Sequence, residues 1–122
     1  MLLDSNILIY AVNRSAPEVE SLAIAEESAV ASVTQIEVYG FTGLKTDEKA
    51  ALDILFHRLT VHPLEAKVID RAIALRRENK IGLADAIIAA TAPVHDLPLV
   101  TRNEADFRHI TGLRIVNPFA GG

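Results

Sequence analysis

Four carboxylates stand where the surrounding sequence is apolar or where a predicted buried strand ends. These residues are Asp4, Glu37, Asp85 and Asp106. A buried carboxylate without a partner is costly, and no Lys or Arg is predicted on the same helix face as Glu37 or Asp85. A shared cation would compensate these charges, and Mg²⁺ or Mn²⁺ favours carboxylate oxygens and water as ligands. The residue types therefore predict a site for one or two divalent ions.

The helical spacing of two of these acids is the strongest sign of such a site. Glu37 lies four residues from both Val33 and Phe41, so we expect it to share their apolar face and point inward. Asp85 lies in the segment Gly-Leu-Ala-Asp-Ala-Ile-Ile-Ala-Ala-Thr, in which no other side chain from residue 83 to 90 is polar. Its predicted neighbours on the helix face are also apolar.

Helix capping is the structural alternative for each acid. Asp4 could cap the first helix, and Asp85 could compensate a helix dipole. The segment from Thr34 to Glu37 matches a capping box, and Asn103-Glu104-Ala105-Asp106 resembles one.

The composition favours one α/β domain over residues 1–122. Half of the residues are hydrophobic, aromatic residues make up 5%, and there is no cysteine. A reduced cytoplasmic location fits, and no apolar run reaches the ~18 residues of a membrane span. The formal net charge of −4 provides no global basic footprint for nucleic acid. Binding of nucleic acid would therefore depend on a local site.

Hydrophobic periodicity predicts strands that alternate with helices, which indicates a mainly parallel sheet. The helix over residues 65–80 is the clearest, with the apolar stripe Val68, Ile69, Ala72, Ile73 and Leu75. Pro93 is expected to end or shorten the helix that holds Asp85, and residues 119–122 are expected to fray. The predicted strands cover residues 1–4, 29–32, 60–62, 97–101 and 113–116; the predicted helices begin at Ser5 and Thr46 or cover residues 18–27, 33–43, 65–80, 84–91 and 104–108.

Asp4 and two later polar residues are predicted at the same edge of this sheet. Asp4 ends the first strand, and Thr101 and Asn103 lie at the end of a later one. In open parallel sheets, ligands bind beyond the carboxyl ends of the strands.

Four segments in this order resemble the PIN-domain ribonucleases, in particular the VapC-type toxins of toxin–antitoxin pairs. They are Leu3-Asp4-Ser5-Asn6, Ser32-Val33-Thr34-Gln35-Ile36-Glu37, Asp85-Ala86-Ile87-Ile88-Ala89-Ala90-Thr91, and Leu99-Val100-Thr101-Arg102-Asn103 through Asp106-Phe107. The resemblance extends from residue 3 to about residue 107. It implies a three-layer α/β/α fold with a central sheet of roughly five strands.

The resemblance also implies a role for individual residues. Asp4, Glu37, Asp85 and Asp106 match the acidic quartet of the family, which would hold Mg²⁺ or Mn²⁺ and hydrolyse RNA to 5′-phosphate and 3′-hydroxyl ends. The accessory polar positions correspond to Ser5, Asn6, Thr101 and Asn103. The implied partners are a cognate antitoxin, a second copy of the chain, and a structured RNA substrate such as tRNA.

Arg102 is the predicted RNA phosphate contact, because it lies beside the predicted site. The basic group at Arg76, Arg77 and Lys80 is more typical of a solvated helix face.

Three other functions remain possible from the sequence. A metal-free nuclease would need a histidine pair, and no two of the four histidines have helical i, i+4 spacing. A phosphatase with an aspartate nucleophile would need a second Asp two residues after Asp4, where this chain has Asn6. A PIN-like binding module could keep the acids without catalysing turnover.

Overall fold

The computed structural model describes residues 1–119, in which five parallel strands form one central sheet between two layers of helices. The strand order is β3-β2-β1-β4-β5, and every pair of neighbours is parallel. The predicted α/β/α fold is confirmed, and the sheet is entirely rather than mainly parallel. The strands are β1 (Leu2–Leu3), β2 (Ala29–Ala31), β3 (Thr60–His62), β4 (Leu99–Val100) and β5 (Ile115–Val116).

Seven helices connect these strands within residues 1–119, and each lies in a segment that the sequence predicted to be helical. They are α1 (Ser5–Val12), α2 (Pro17–Ala23), α3 (Ser32–Tyr39), α4 (Thr46–Phe56), α5 (Ala66–Glu78), α6 (Leu83–Val94) and α7 (Glu104–Phe107). None of these helices is long and apolar enough to cross a membrane.

Alternating strand residues face two separate hydrophobic cores. Leu2 and Leu99 pack with apolar residues of α5 and α6, whereas Leu3 and Val100 pack with apolar residues of α1, α2 and α4. Both faces of the sheet are therefore covered, which explains why the three central strands β2, β1 and β4 are apolar runs without polar alternation.

The strand order reverses direction between β1 and β4. The chain moves outward from β1 through β2 to β3, and then returns to place β4 on the other side of β1. This reversal leaves a crevice at the carboxyl ends of β1 and β4, the place where doubly wound sheets bind ligands. Asp4 and Thr101 each follow one of these two strands directly.

Several predicted helix boundaries were wrong for local reasons. The second helix ends at Ala23 rather than near residue 27, because a turn follows in which the Ser28 hydroxyl donates to the Leu22 carbonyl oxygen at 2.5 Å. The helix predicted to reach residue 43 ends at Tyr39, and Gly40 follows it. By contrast, the helix that holds Asp85 ends near Pro93 as predicted: it includes Pro93 and ends at Val94, because a proline at the penultimate position interrupts few of the helix's hydrogen bonds.

Two residues of the apolar stripe predicted on α5 are not buried. Val68, Ala72 and Leu75 lie in the core, but Ile69 is 41% exposed and Ile73 is 53% exposed. Helix α6 covers only one side of α5, so the other side of the stripe faces solvent.

The fraying expected at the C-terminus is wrong for Phe119, which is partly buried. Its ring makes an edge-to-face contact with Tyr10, with the ring centroids 5.8 Å apart. The other residues for which fraying was predicted, 120–122, lie outside the described residues.

Candidate acidic active site

Asp4 is held at the carboxyl end of β1 by hydrogen bonds to both carboxylate oxygens. Its Oδ1 accepts from the Ser5 backbone N–H at 2.8 Å, and its Oδ2 accepts from the Thr101 hydroxyl at 2.8 Å. The side chain also caps α1, so the capping and site interpretations apply to the same residue. Asp4 is only 5% exposed, and these bonds fix its orientation towards the crevice.

Thr101 connects the ends of β1 and β4. It is fully buried; its hydroxyl donates to Asp4 and accepts from the Asn103 backbone N–H at 3.0 Å. The predicted accessory position at Thr101 therefore has a structural role next to Asp4. Asn103 itself is exposed and precedes α7, and Asn6 is exposed on α1.

Glu37 reaches the site from α3, but it is not buried as predicted. The residue is exposed, because the core-facing positions of α3 are Thr34 and Val38. Its Oε1 lies 2.5 Å from the Ser5 hydroxyl, which donates to it. The expected apolar face is also wrong at Phe41, which lies beyond the end of α3 and is 47% exposed.

Thr34 lies beside the hydrogen bond between Ser5 and Glu37. The sequence predicted only a helix-capping role for it. It is fully buried, and its hydroxyl lies 3.1 Å from the Ser5 hydroxyl. The capping-box interpretation of this segment is wrong, because α3 begins at Ser32 and its N-cap position is Ala31. The available signal for its role was its position on the same helix as Glu37, three residues before that acid.

Asp85 and Asp106 line an open cleft beside this network. Asp85 lies in the first turn of α6 and is half-buried, whereas Asp106 lies on α7 and is exposed. The cleft has a volume of about 230 Å³, and Lys80 and His109 also line it. Lys80 was predicted to lie on a solvated helix face, but it follows α5 and contributes to the cleft.

The four carboxylates are close enough to perturb one another. Burial, together with the smaller effects of the charges on Asp4, Asp106 and Glu37, raises the pKa of Asp85 to about 6. Burial also raises the pKa of Asp4, against the opposing effect of its hydrogen bonds to Thr101 and Ser5. Charges on Glu37 and Asp106 act on Asp4 in the same direction as burial. The four acids, from four different segments, therefore form one electrostatic cluster.

This cluster has the donor chemistry of a magnesium or manganese site, because its available ligands are carboxylate oxygens. Within residues 1–119, no three Asp, Glu, His or Cys side chains converge closely enough to hold an ion directly. Bridging water, which Mg²⁺ usually retains, would complete the coordination. The residues thus fit a partly hydrated hard cation rather than a fully enclosed one.

Two histidines that the sequence did not pair lie together: His62, the last residue of the edge strand β3, and His95, which follows α6. The rings of His62 and His95 stack with centroids 3.7 Å apart. His95 Nε2 is buried, and Glu65 Oε1 lies 3.0 Å from it. The two atoms are not aligned for a hydrogen bond, so this nitrogen has no hydrogen-bond partner within residues 1–119. His95 follows Asp85 by ten residues, roughly 15 Å along a helix, so this pair is separate from the acidic cluster.

We expect Thr101→Val to destabilise the protein by about 1–3 kcal/mol, because it leaves an Asp4 oxygen and the Asn103 N–H without their partner. Urea denaturation at pH 7 measures this loss. Thr101→Ser is the matched control, since it keeps the hydroxyl and removes only a methyl group. Equal unfolding free energies for the two variants would contradict the proposed role of the hydroxyl.

The protein is an α/β protein with a fully parallel sheet, and its acidic site lies at the carboxyl ends of β1 and β4, where the strand order reverses. The PIN domain family model matches residues 1–113. The chain belongs to the PIN-domain family, as the four segments in the sequence predicted.

Relatives with recorded functions support the same assignment over almost the whole chain. Ribonuclease VapC2 of Rickettsia felis is 32% identical in an alignment that covers 95% of this chain and 96% of the relative. Among solved structures, a toxin–antitoxin complex from Klebsiella pneumoniae contains a chain that is 33% identical, with a TM-score of 0.80 and 97% of each chain covered. VapBC2 from Rickettsia felis, bound to a DNA fragment from its promoter, is 30% identical with a TM-score of 0.80, over 95% of this chain and 96% of that one.

Proposed function

We propose that this protein is a metal-dependent endoribonuclease and the toxin of a toxin–antitoxin pair, with Asp4, Glu37, Asp85 and Asp106 as its catalytic acids. The observation that carries the proposal is that Asp4 and Asp85 lie close enough to Glu37 and Asp106 for the charges of those two residues to raise both of their pKa values. The four acids come from four different segments, so no single helix cap explains them together. The family membership and the ribonuclease VapC relatives support the same reaction.

The surrounding residues would position the acids for phosphodiester hydrolysis. Bound Mg²⁺ or Mn²⁺ would supply a water of lowered pKa and polarise the phosphoryl oxygens. Thr101 and the Ser5 N–H hold Asp4, and the Ser5 hydroxyl holds Glu37. Asp85, whose pKa is raised to about 6, is mostly ionised at neutral pH and available as a ligand.

Cleavage of an unfractionated tRNA pool tests this proposal. The purified protein is incubated with Mn²⁺ or with EDTA, and the product ends are determined. We expect cleavage only with Mn²⁺, leaving 5′-phosphate and 3′-hydroxyl ends. Absence of both RNA cleavage and Mn²⁺ binding would favour the non-catalytic binding module, and hydrolysis of small phosphomonoesters instead would favour the phosphatase.

We also propose that a cognate antitoxin binds this chain and masks the acidic site. Solved relatives at 30% identity or more are described as a toxin–antitoxin complex and as VapBC2, which supports this partner. The cytoplasmic location stays a prediction, consistent with an RNA substrate.

A homodimer formed through α5 and α6, which the family resemblance implied, is proposed from exposed apolar side chains that include Ile69 and Ile73 of the predicted stripe. The exposed side chains flank a groove of about 150 Å³. Contiguous exposed apolar surface marks interaction sites. Its exposed apolar side chains are Leu64, Ile69, Ile73 and Leu83, and Ala72, Arg76 and the buried Ile87 complete its lining.

We expect Ile73→Glu to convert the dimer to a monomer, because it places a charge in the centre of this apolar surface. Sedimentation equilibrium of the purified protein measures the change. Ile54→Glu is the matched control, since Ile54 is 65% exposed on α4, outside this groove. A monomeric wild type, or dissociation caused by Ile54→Glu instead, would contradict this dimer.

A further inference from the structure

Arg102 follows Thr101 in the chain, and its guanidinium packs against two aromatic rings. The centre of its guanidinium lies 4.3 Å from the centroid of the Phe119 ring and 5.6 Å from that of Tyr10. Tyr10 and Phe119 contact each other edge to face. These three residues, here called the arginine clamp, come from α1, from the segment after β4 and from the segment after β5.

The backbone of Arg102 is tied directly to the site. Thr101 donates to Asp4, and its hydroxyl accepts from the N–H of Asn103, so the residues on both sides of Arg102 are held by one hydroxyl. The clamp therefore has a defined position relative to Asp4.

The guanidinium is well placed for a ligand and has no protein anion as a partner. Arg102 is exposed, and no carboxylate among residues 1–119 lies within ion-pair distance of it. The charged groups that shift the pKa of Asp4 and Asp85 are the other acids and do not include Arg102. Its charge is therefore not neutralised by any of these carboxylates.

We propose that the arginine clamp binds a phosphate of the RNA strand that flanks the phosphate to be cleaved, an inference that rests on the proposed ribonuclease function. A planar guanidinium can form two parallel hydrogen bonds to one phosphate. Phe119 covers one of its faces and Tyr10 supports Phe119, so less side-chain freedom is lost on binding. Tyr10 and Phe119 are positioning residues, and Arg102 makes the contact.

Binding of fluorescently labelled, unfractionated tRNA to the Asp85→Asn protein in EDTA tests this without cleavage. From 50 to 200 mM NaCl, we expect Arg102→Gln to reduce the salt slope of log affinity by about 0.7–0.9, the contribution of one phosphate contact. At 50 mM we expect about a fivefold loss of affinity. Arg102→Lys should keep the slope but lose about threefold, because a lysine lacks the planar fork.

Phe119→Leu tests the positioning role. We expect about a threefold loss of affinity when Arg102 is present and no further loss when it is combined with Arg102→Gln, because coupled residues are not additive. Equal losses in both backgrounds would show a merely structural role and overturn the clamp. Circular dichroism melting confirms that each variant is folded.

Arg58→Gln is the matched charge control, since Arg58 is exposed and lies before β3, away from the carboxyl ends of the strands. An Arg102→Gln protein that binds like the Arg58→Gln protein would overturn the inference and leave the ribonuclease proposal intact. Absence of tRNA binding by the Asp85→Asn protein at 50 mM NaCl would overturn it as well. Failure of the ribonuclease proposal appears separately, as absence of cleavage by the wild type.

Discussion

Asp85→Asn is expected to reduce kcat/KM for tRNA cleavage by about 10²–10³-fold or more in the presence of Mn²⁺. The amide has nearly the volume of the carboxylate, but it removes one negative charge from the cluster that would hold the cation. Losing one electrostatic element of an active site typically has an effect of this size. Initial rates on the tRNA pool, at several Mn²⁺ concentrations, measure the loss.

Asp96→Asn provides the matched control for this substitution. Asp96 follows the same helix, and its side chain is 99% exposed beside Arg114, so the same change of charge is made outside the acidic site. We expect its cleavage rate to stay within about twofold of the wild type, because exposed ion pairs contribute little. Undiminished cleavage by the Asp85→Asn protein would contradict the assignment of Asp85 as a catalytic acid.

The second large effect is expected on thermal stability, and its sign depends on metal. In the folded protein the pKa of Asp85 is raised from 3.8 to about 6, so the folded state binds a proton more tightly than the unfolded state does. The resulting stabilisation is fully present below pH 3.8 and is lost as the pH rises through 6. At pH 7.5 without metal, ionised Asp85 is therefore unfavourable to folding.

We expect Asp85→Asn to raise Tm at pH 7.5 in EDTA. Because the side chain is half-exposed, solvent screening limits the gain to about 1 kcal/mol, which corresponds to roughly 3–5 °C for a domain of this size. Millimolar Mn²⁺ should raise Tm of the wild type by ligand linkage and raise that of the variant by much less. Differential scanning calorimetry measures both effects.

Low pH and Asp96→Asn provide the controls for the stability experiment. Near pH 4 the advantage of Asp85→Asn in EDTA should largely disappear, because Asp85 is then mostly protonated in the folded wild type. Asp96→Asn should respond to Mn²⁺ like the wild type. A wild-type melting curve that is the same with and without Mn²⁺ would contradict a metal site formed by these acids.

Local sequence was sufficient to predict most of the architecture. Apolar runs and helical periodicity predicted all the strands and helices in residues 1–119, because those patterns depend only on neighbouring residues. The ends of helices were less predictable: the Ser28 hydroxyl bond to Leu22 and the penultimate position of Pro93 decided two of them. Asp4 was predictable as a site residue, because it directly follows the first strand and ligands bind at the carboxyl ends of the strands in a parallel sheet.

The sequence by itself determined the α/β class, the family and the four candidate acids, since these follow from periodicity and from short segments of residue types. Only the tertiary structure decided how each acid is held: Glu37 is exposed and bonded to Ser5, rather than buried on an apolar face. It also decided that Arg102 stacks on Phe119, seventeen residues later. These contacts join residues that are not neighbours in the chain, and their geometry depends on the packing of whole helices and strands. Local periodicity contains no information about that packing.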